Sequence, residues 1–138
     1  DVLTLPFDTL PSCARQEIRR AFDAWAGVAG ISFVEQAEDS NSDIRFFAAE
    51  IRQSGIGYPN FEEGTCADFS GNVIIQANSR FNTCSLFYGF MLHEIGHALG
   101  LGRVDAEAIM NPSASFEVLG APQPADIEGI QALYGDGE

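Results

Sequence analysis

Residues 93–102 read HEIGHALGLG, and this stretch contains both histidines of the chain. His93 and His97 are four residues apart, so in an α-helix they project from nearly the same face, one turn apart. Two imidazoles in this arrangement can hold one zinc ion through their ring nitrogens. Glu94 lies at the edge of that face, where it can take a proton from water that the metal has acidified. The stretch therefore predicts a helix that carries a hydrolytic zinc site.

The residues that follow extend the pattern. Gly100 is suited to end the helix, because glycine adopts the left-handed C-cap conformation at little steric cost. Residues 108–112 then read AIMNP. The two stretches together resemble the metzincin peptidases, in particular the matrix metalloprotease and serralysin branch, whose signature is HExxHxxGxxH followed by a methionine turn.

The resemblance implies a role for each matching residue. His93 and His97 would bind zinc, Glu94 would be the general base, and Met110 would form the apolar floor of the site. It also implies an α+β fold with α/β-type layers, in which a five-stranded, mostly parallel twisted sheet with an antiparallel edge strand packs with three helices. We expect residues 1–138 to form a single metallopeptidase catalytic domain.

One residue departs from the family pattern. The third zinc-binding histidine would fall at position 103, where this chain has Arg103. A guanidinium stays protonated and has no lone pair to donate to a metal. A unit charge about 4 Å from a divalent ion is repelled by roughly 8 kcal/mol at an effective dielectric constant near 20. We therefore expect Arg103 to turn away from the metal.

The third ligand position is then open, filled by water, or taken by another side chain. An open position is the interpretation we favour. Asp105 lies two residues beyond Arg103 and needs only a local change of loop path. Glu117 lies twenty residues after His97, a spacing that resembles the thermolysin-like peptidases, where a glutamate is the third ligand. For both acids, the simpler interpretation is a solvated loop carboxylate.

Composition restricts the class of protein. The chain has 138 residues, 46% of them hydrophobic, and a net charge of −13 that is spread along its length. Such an acidic surface argues against binding to nucleic acid or to anionic membranes, and no apolar run is long enough to span a bilayer. All seven basic residues are arginine, so lysine chemistry is excluded. We expect a monomer whose partner is a peptide or protein substrate.

The chain has three cysteines, Cys13, Cys66 and Cys84. An odd number leaves one unpaired in an oxidising compartment. Cys66 with Cys84 is the pair we favour, because both flank the segment that leads to the helix of the HEIGH motif. Cys13 is expected at a helix start in a structural role. The metzincin resemblance implies a secreted or extracellular protein.

Apolar periodicity predicts the secondary-structure elements. Ser12 is a plausible N-cap for a first helix that ends near Gly27 or Gly30. A second helix is expected from Phe87 to Leu99, and a third from Pro124 or Ala125 to Gly135. Strands are expected over residues 2–7, 31–35, 43–47, 55–59 and 73–77.

In the family, an edge strand pairs with an extended peptide substrate. This contact depends on hydrogen bonds to the substrate's main chain more than on its sequence. The resemblance gives this role to Gly55, Ile56, Gly57 and Tyr58. The wall of the specificity pocket would come from Pro112 to Gly120, where Phe116 indicates an apolar lining. Calcium is a second candidate cofactor, because hard oxygen ligands are available in one acidic loop, at Glu62, Glu63 and Asp68.

Two functions remain in competition at this point. The first is a zinc-dependent endopeptidase in which Glu94 moves the proton. The second is a catalytically impaired metzincin domain that binds a peptide or a protein. The presence of Glu94 favours the enzyme, since a binding module has no use for that base, whereas Arg103 favours the binding module.

Overall fold

The computed structural model describes residues 4–5, 10–36, 42–49, 55–57, 72–76, 83–116 and 119–137. All three predicted helices are present, with ends close to those expected. In chain order the elements are β1 (Thr4–Leu5), α1 (Ala14–Ala26), β2 (Arg45–Ala49), β3 (Gly55–Gly57), β4 (Asn72–Gln76), α2 (Cys84–Ala98) and α3 (Pro124–Tyr134).

The sheet has the strand order β1-β2-β4-β3. Strands β2 and β4 are parallel, β1 is antiparallel to β2, and β3 is antiparallel to β4. The antiparallel edge strand predicted around residues 55–59 is thus present as β3. The described residues form four strands, and one of their three pairings is parallel. The predicted five-stranded, mostly parallel sheet is therefore not confirmed.

The strand predicted over residues 31–35 is not formed. This segment has irregular backbone in the structure. Its side chains do alternate: Ile31 and Phe33 pack against the core, while Val34 is 87% exposed. Alternation of apolar residues shows which side of a segment faces the core. It does not supply a neighbouring strand for the backbone to pair with, and this segment lies on the core as irregular chain.

Helix α2 is the centre of the core. Every residue from Phe87 to Ala98 except His97 is buried, as expected for a helix that is apolar on all sides. Helix α1 packs along it, and the fully buried Trp25 donates a hydrogen bond from its indole nitrogen to the carbonyl of Leu92, 3.1 Å away. Among the described residues, no helix combines the length and apolarity needed to cross a lipid bilayer.

The disulfide bond joins Cys13 to Cys84, whose Cα atoms are 6.0 Å apart. The predicted pairing of Cys66 with Cys84 is therefore wrong, and Cys66 lies outside the described residues. The physical reason is the packing of the two long helices. Cys13 is the N-cap of α1 and Cys84 is the first residue of α2, so side-by-side packing of α1 and α2 brings the two helix starts together.

Candidate active site

Helix α2 places the two histidines as the motif predicts. His93 is buried and His97 is partly buried, and their Nε2 atoms are 3.1 Å apart. The two rings are perpendicular, with centroids 4.6 Å apart. Thr83 is the N-cap of this helix, and its hydroxyl oxygen accepts a hydrogen bond from the backbone N–H of Leu86.

Gly100 ends this helix in the expected left-handed conformation, with φ of 109°. The backbone N–H of Leu101 donates to the carbonyl of Gly96 at 2.9 Å, and that of Gly100 donates to the carbonyl of His97 at 3.0 Å. These two bonds form a Schellman motif. The turn also brings the carbonyl of Leu101 back to the His97 ring, where it lies 2.9 Å from Nδ1.

Hydrogen bonds fix which ring nitrogen carries the proton in each histidine. Nδ1 of His93 lies 2.7 Å from the carbonyl of Ile109, and Nδ1 of His97 makes the contact with Leu101. A carbonyl can only accept, so each Nδ1 donates. Burial lowers the pKa of His93 to about 4, and the charge of Arg103 contributes. Burial also lowers the pKa of His97, again with a contribution from Arg103.

Both imidazoles are therefore neutral near pH 7, with the proton on Nδ1 and a lone pair on Nε2. Neither Nε2 has a hydrogen to donate to the other, so two lone pairs converge across 3.1 Å. Tetrahedral zinc with Zn–N bonds of about 2.0–2.1 Å holds two nitrogens roughly 3.3 Å apart. The histidine pair thus fits two of the ligands of a zinc ion, and its Nδ1 contacts are the kind that orient metal-binding histidines.

Glu94 occupies the next position of the helix. It is 6% exposed, as is His93. Long acidic side chains are rarely buried to this degree in proteins unless they are partnered or functional. The helix thus holds a carboxyl group beside the histidine pair, where the sequence placed the general base.

Met110, predicted to form the apolar floor of the site, packs against the histidine helix. Met110 is 2% exposed, and it belongs to a turn over residues 108–111, here called the methionine turn, in which Asn111 N–H donates to the Ala108 carbonyl at 3.2 Å. The side chain of Met110 packs on helix α2 at Gly96, where a Cβ atom would collide with its sulfur. The absence of a side chain at Gly96 therefore lets the turn approach the histidine helix closely.

Asp126 is a site residue that sequence reasoning missed. This buried carboxylate of α3 accepts hydrogen bonds from the backbone N–H groups of Ile109 at 2.8 Å, Met110 at 3.0 Å and Gln123 at 2.7 Å. It holds the methionine turn, and through the Ile109 carbonyl it holds the His93 ring. The signal was an acid at the third position of a helix that opens with Pro124, which is typical of a capping box.

Replacing Asp126 with alanine is expected to lower the free energy of unfolding by roughly 3–5 kcal/mol, because two buried N–H groups lose their acceptor at about 1–3 kcal/mol each and a third, partly buried N–H group loses it at a smaller cost. Zinc affinity should fall as well, since the orientation of His93 depends on this contact. Denaturant unfolding and calorimetric zinc titration measure the two effects. Glu128→Ala, an exposed acid of the same helix, is the matched control. Equal stability of both variants would contradict the role of Asp126.

Asp105, the candidate third ligand that lies within the described residues, is not brought to the histidines. Asp105 is exposed, and its backbone carbonyl accepts a hydrogen bond from the Asn111 side chain at 3.4 Å. Within the described ranges, no group of three or more His, Cys, Asp or Glu side chains is placed to hold a metal ion. Arg103 is exposed, as expected for a side chain turned toward solvent, yet its charge reaches both histidines.

The residues predicted to bind substrate do not all lie near the histidines. Gly55, Ile56 and Gly57 form β3 at the end of the sheet, close to α2. Pro112 is exposed. Phe116 lies beside His93, with ring centroids 5.7 Å apart, and it packs on α2 at a second glycine, Gly89.

An apolar ring at the predicted pocket wall is thus in contact range of the histidine pair. The other predicted residues, namely Tyr58, Glu62, Glu63, Asp68 and Glu117, lie outside the described residues.

Comparison with known proteins extends over nearly the whole chain. The matrixin family profile matches residues 4–135. Human matrix metalloproteinase-19 is 32% identical over 97% of this chain and 28% of its own length. Bovine interstitial collagenase is 32% identical over 87% of the chain and 28% of its own length. Metalloendoproteinase 4-MMP of Arabidopsis thaliana is 27% identical over 91% of the chain and 41% of its own length.

The chain spans 28–41% of the length of these three relatives. The match includes the histidine helix, the methionine turn and the final helix, which are the three segments that build the site. The chain therefore belongs to the matrixin family and is a metzincin domain of the matrix metalloprotease type.

Proposed function

We propose that this domain is a zinc-dependent endopeptidase that hydrolyses peptide bonds in extended protein segments. The observation that supports this most strongly is the pair of neutral imidazoles whose Nε2 lone pairs converge across 3.1 Å. A buried carboxyl group follows directly in the same helix, at Glu94. The names of the relatives, which include a collagenase and a metalloendoproteinase, agree with this activity.

Each side chain of the proposed site has a defined task in this reaction. A bound zinc ion supplies Lewis acidity, which acidifies water and polarises the scissile carbonyl. His93 and His97 hold the ion through Nε2, because their Nδ1 protons are committed to backbone carbonyls. Glu94 accepts the proton of the attacking water and delivers it to the leaving amine. Asp126 keeps the residue whose carbonyl accepts from His93, Ile109, in place.

Strand β3 gives the substrate a place to bind. It is the end strand of the sheet, so among the described strands its backbone pairs only with β4. An extended peptide can add to such an edge through main-chain hydrogen bonds. Because β3 lies close to α2, a peptide on this edge would pass near the histidine pair. Phe116, beside His93, would then contact an apolar side chain of the substrate.

The disulfide supports a secreted or extracellular location. Disulfide bonds persist in oxidising compartments and are rare in the cytosol. Cys13–Cys84 joins the start of α1 to the start of α2, so the pairing links the two main helices of the fold. The family resemblance and the disulfide thus favour the same location, secreted or extracellular.

The test is zinc content and cleavage by the same protein preparation. We expect the chain purified without added metal to contain zinc and to cleave an unfolded protein, and His97→Ala to lose both. Elemental analysis and gel electrophoresis of the digested protein measure the two properties. Normal zinc content in both His93→Ala and His97→Ala would show that the metal is elsewhere and would overturn the proposal.

A second function, binding of a peptide or protein without cleavage, is favoured by Arg103. A catalytic zinc site normally has three protein ligands and one open position, and the described residues supply two. A domain of this kind would bind peptide along β3 but turn over slowly. Zinc bound without measurable cleavage, together with retained peptide affinity, would favour this function over the enzyme.

Asp105 as the third ligand makes a separate prediction. If it binds the metal, Asp105→Ala should weaken zinc affinity by more than the roughly 10- to 100-fold caused by loss of an outer-shell partner. Because Asp105 is exposed and belongs to no group of three or more potential metal ligands among the described residues, we expect a change of less than about twofold. Calorimetry with Glu107→Ala, an exposed acid of the same loop, as control measures it. A large loss specific to Asp105→Ala would identify the missing ligand.

A further inference from the structure

The histidine pair depends on two backbone carbonyls, one for each ring. The carbonyl of Ile109 lies 2.7 Å from Nδ1 of His93, and the carbonyl of Leu101 lies 2.9 Å from Nδ1 of His97. Each carbonyl keeps the proton on Nδ1, so Nε2 keeps the lone pair that can bind a metal. A residue that fixes either carbonyl therefore acts on zinc binding without touching the metal. For the Ile109 carbonyl, that residue is Asp126.

The Leu101 carbonyl belongs to the turn that ends helix α2. The last carbonyls of a helix lack partners within it, and the carbonyl of Leu99, the C-cap of α2, accepts a hydrogen bond from the hydroxyl of Tyr134 at 2.6 Å. Burial raises the pKa of Tyr134, so the hydroxyl keeps its proton near pH 7 and can donate. Tyr134 thus fixes the turn two residues before the carbonyl that contacts His97.

Helix α3, which ends at Tyr134, also packs on Leu101 itself. A Cβ atom at Gly129 would lie 3.1 Å from Cδ2 of Leu101, so the leucine side chain lies close to the α3 backbone. The end of α3 is held in its turn, because the side chain of Gln131 donates to the carbonyl of Val28 at 2.9 Å. Helix α3 therefore contacts the turn at two places, and its own position is fixed by the loop that follows α1.

We propose that Tyr134 is a positioning residue of the zinc site, which fixes the turn after α2 and so holds the carbonyl that orients the His97 ring. The inference rests on zinc binding by the proposed function. It divides the work of α3 between its two ends. Asp126, near the start of the helix, holds the carbonyl partner of His93, and Tyr134, at its end, holds that of His97.

The first test is the zinc affinity of Tyr134→Phe, measured by calorimetric titration. We expect a loss of about fivefold, less than the roughly 10- to 100-fold caused by loss of a direct outer-shell partner, because Tyr134 acts through one further contact. Tyr88→Phe is the matched control. It also removes one hydrogen bond from a partly buried tyrosine hydroxyl to a backbone carbonyl, that of Gly120, at 3.0 Å. Both variants should lose similar stability to urea, but only Tyr134→Phe should lose zinc affinity.

The second test observes the rings directly and needs no metal. The chain has two histidines, so ¹H–¹⁵N spectra of the imidazoles contain two sets of resonances, which His93→Ala assigns. In the unmodified chain at neutral pH, both rings should carry the proton on Nδ1. In Tyr134→Phe, the fraction of His97 in this form should fall while His93 is unchanged. Zinc affinity should fall in parallel, since apparent affinity is proportional to the fraction that is competent to bind.

Each outcome decides between the two proposals. Unchanged His97 resonances in Tyr134→Phe would overturn this inference, as would equal changes at both histidines, or an equal loss of zinc affinity in Tyr88→Phe, because these indicate general loosening of the fold. An unmodified chain that binds no zinc would overturn the proposed function instead. The His97 resonances of the metal-free chain would then still decide whether Tyr134 holds the ring.

Discussion

Replacing Arg103 with histidine should raise zinc affinity by more than the roughly 10- to 100-fold that an outer-shell partner contributes, and should raise the rate of peptide cleavage. Two causes act together. A nitrogen lone pair becomes available at the position of the family's third ligand, and a cation is removed from within electrostatic reach of both histidines. The first cause is the larger, since the exposed guanidinium is partly screened by solvent. Zinc titration and digestion of an unfolded protein measure the two gains.

Two further variants at this position separate the causes. Arg103→Gln and Arg103→Ala remove the charge without adding a ligand, so they should give a small part of the gain. If the histidine variant binds zinc no more tightly than the glutamine variant, the loop after Gly100 does not direct this side chain to the metal.

Replacing Glu94 with glutamine should lower kcat by roughly 10²- to 10⁴-fold, the usual contribution of a general base, while zinc content stays unchanged. The amide has nearly the same shape as the carboxyl group but cannot accept the proton. His97→Ala should instead lose both metal and activity, so the pair of variants distinguishes a base from a ligand. Zinc analysis and initial cleavage rates give the comparison.

The Arg103→His background makes this experiment sensitive. The cleavage rate of the Arg103→His variant is compared with that of the double variant that also carries Glu94→Gln. Both chains then have three zinc ligands, so a low rate caused by an incomplete metal site cannot hide the effect of losing the base. Glu107→Gln in the same background is the control for loss of one negative charge. Full turnover in the double variant would exclude Glu94 as the base.

The helices and the histidine pair could be predicted because their signals are local. Histidines four residues apart in an apolar segment share a helix face whatever the surroundings, and Gly100 marks the C-cap by its own backbone preference. Pro124 and Gly135 bound the last helix for the same kind of reason. The structure bears out each of these positions to within a few residues.

The contacts that complete the site could not be predicted because they are long-range. Asp126 accepts hydrogen bonds from Ile109 and Met110, which are 17 and 16 residues away in the sequence. In so acidic a chain, an aspartate is expected on the surface until its hydrogen-bond partners are known. The disulfide was assigned wrongly for a related reason. Cys13 and Cys84 are 71 residues apart, so only the packing of the two helices brings them together.

Because Asp126 belongs to the last described helix, the order in which the chain is synthesised affects when the methionine turn becomes ordered. A ribosome releases the chain from its N-terminus onward, so the histidine helix and the methionine turn emerge before helix α3. Until α3 follows, the amides of Ile109 and Met110 lack the carboxylate that orients them. In a nascent chain, therefore, the methionine turn below the histidine pair becomes ordered only after α3 has been synthesised.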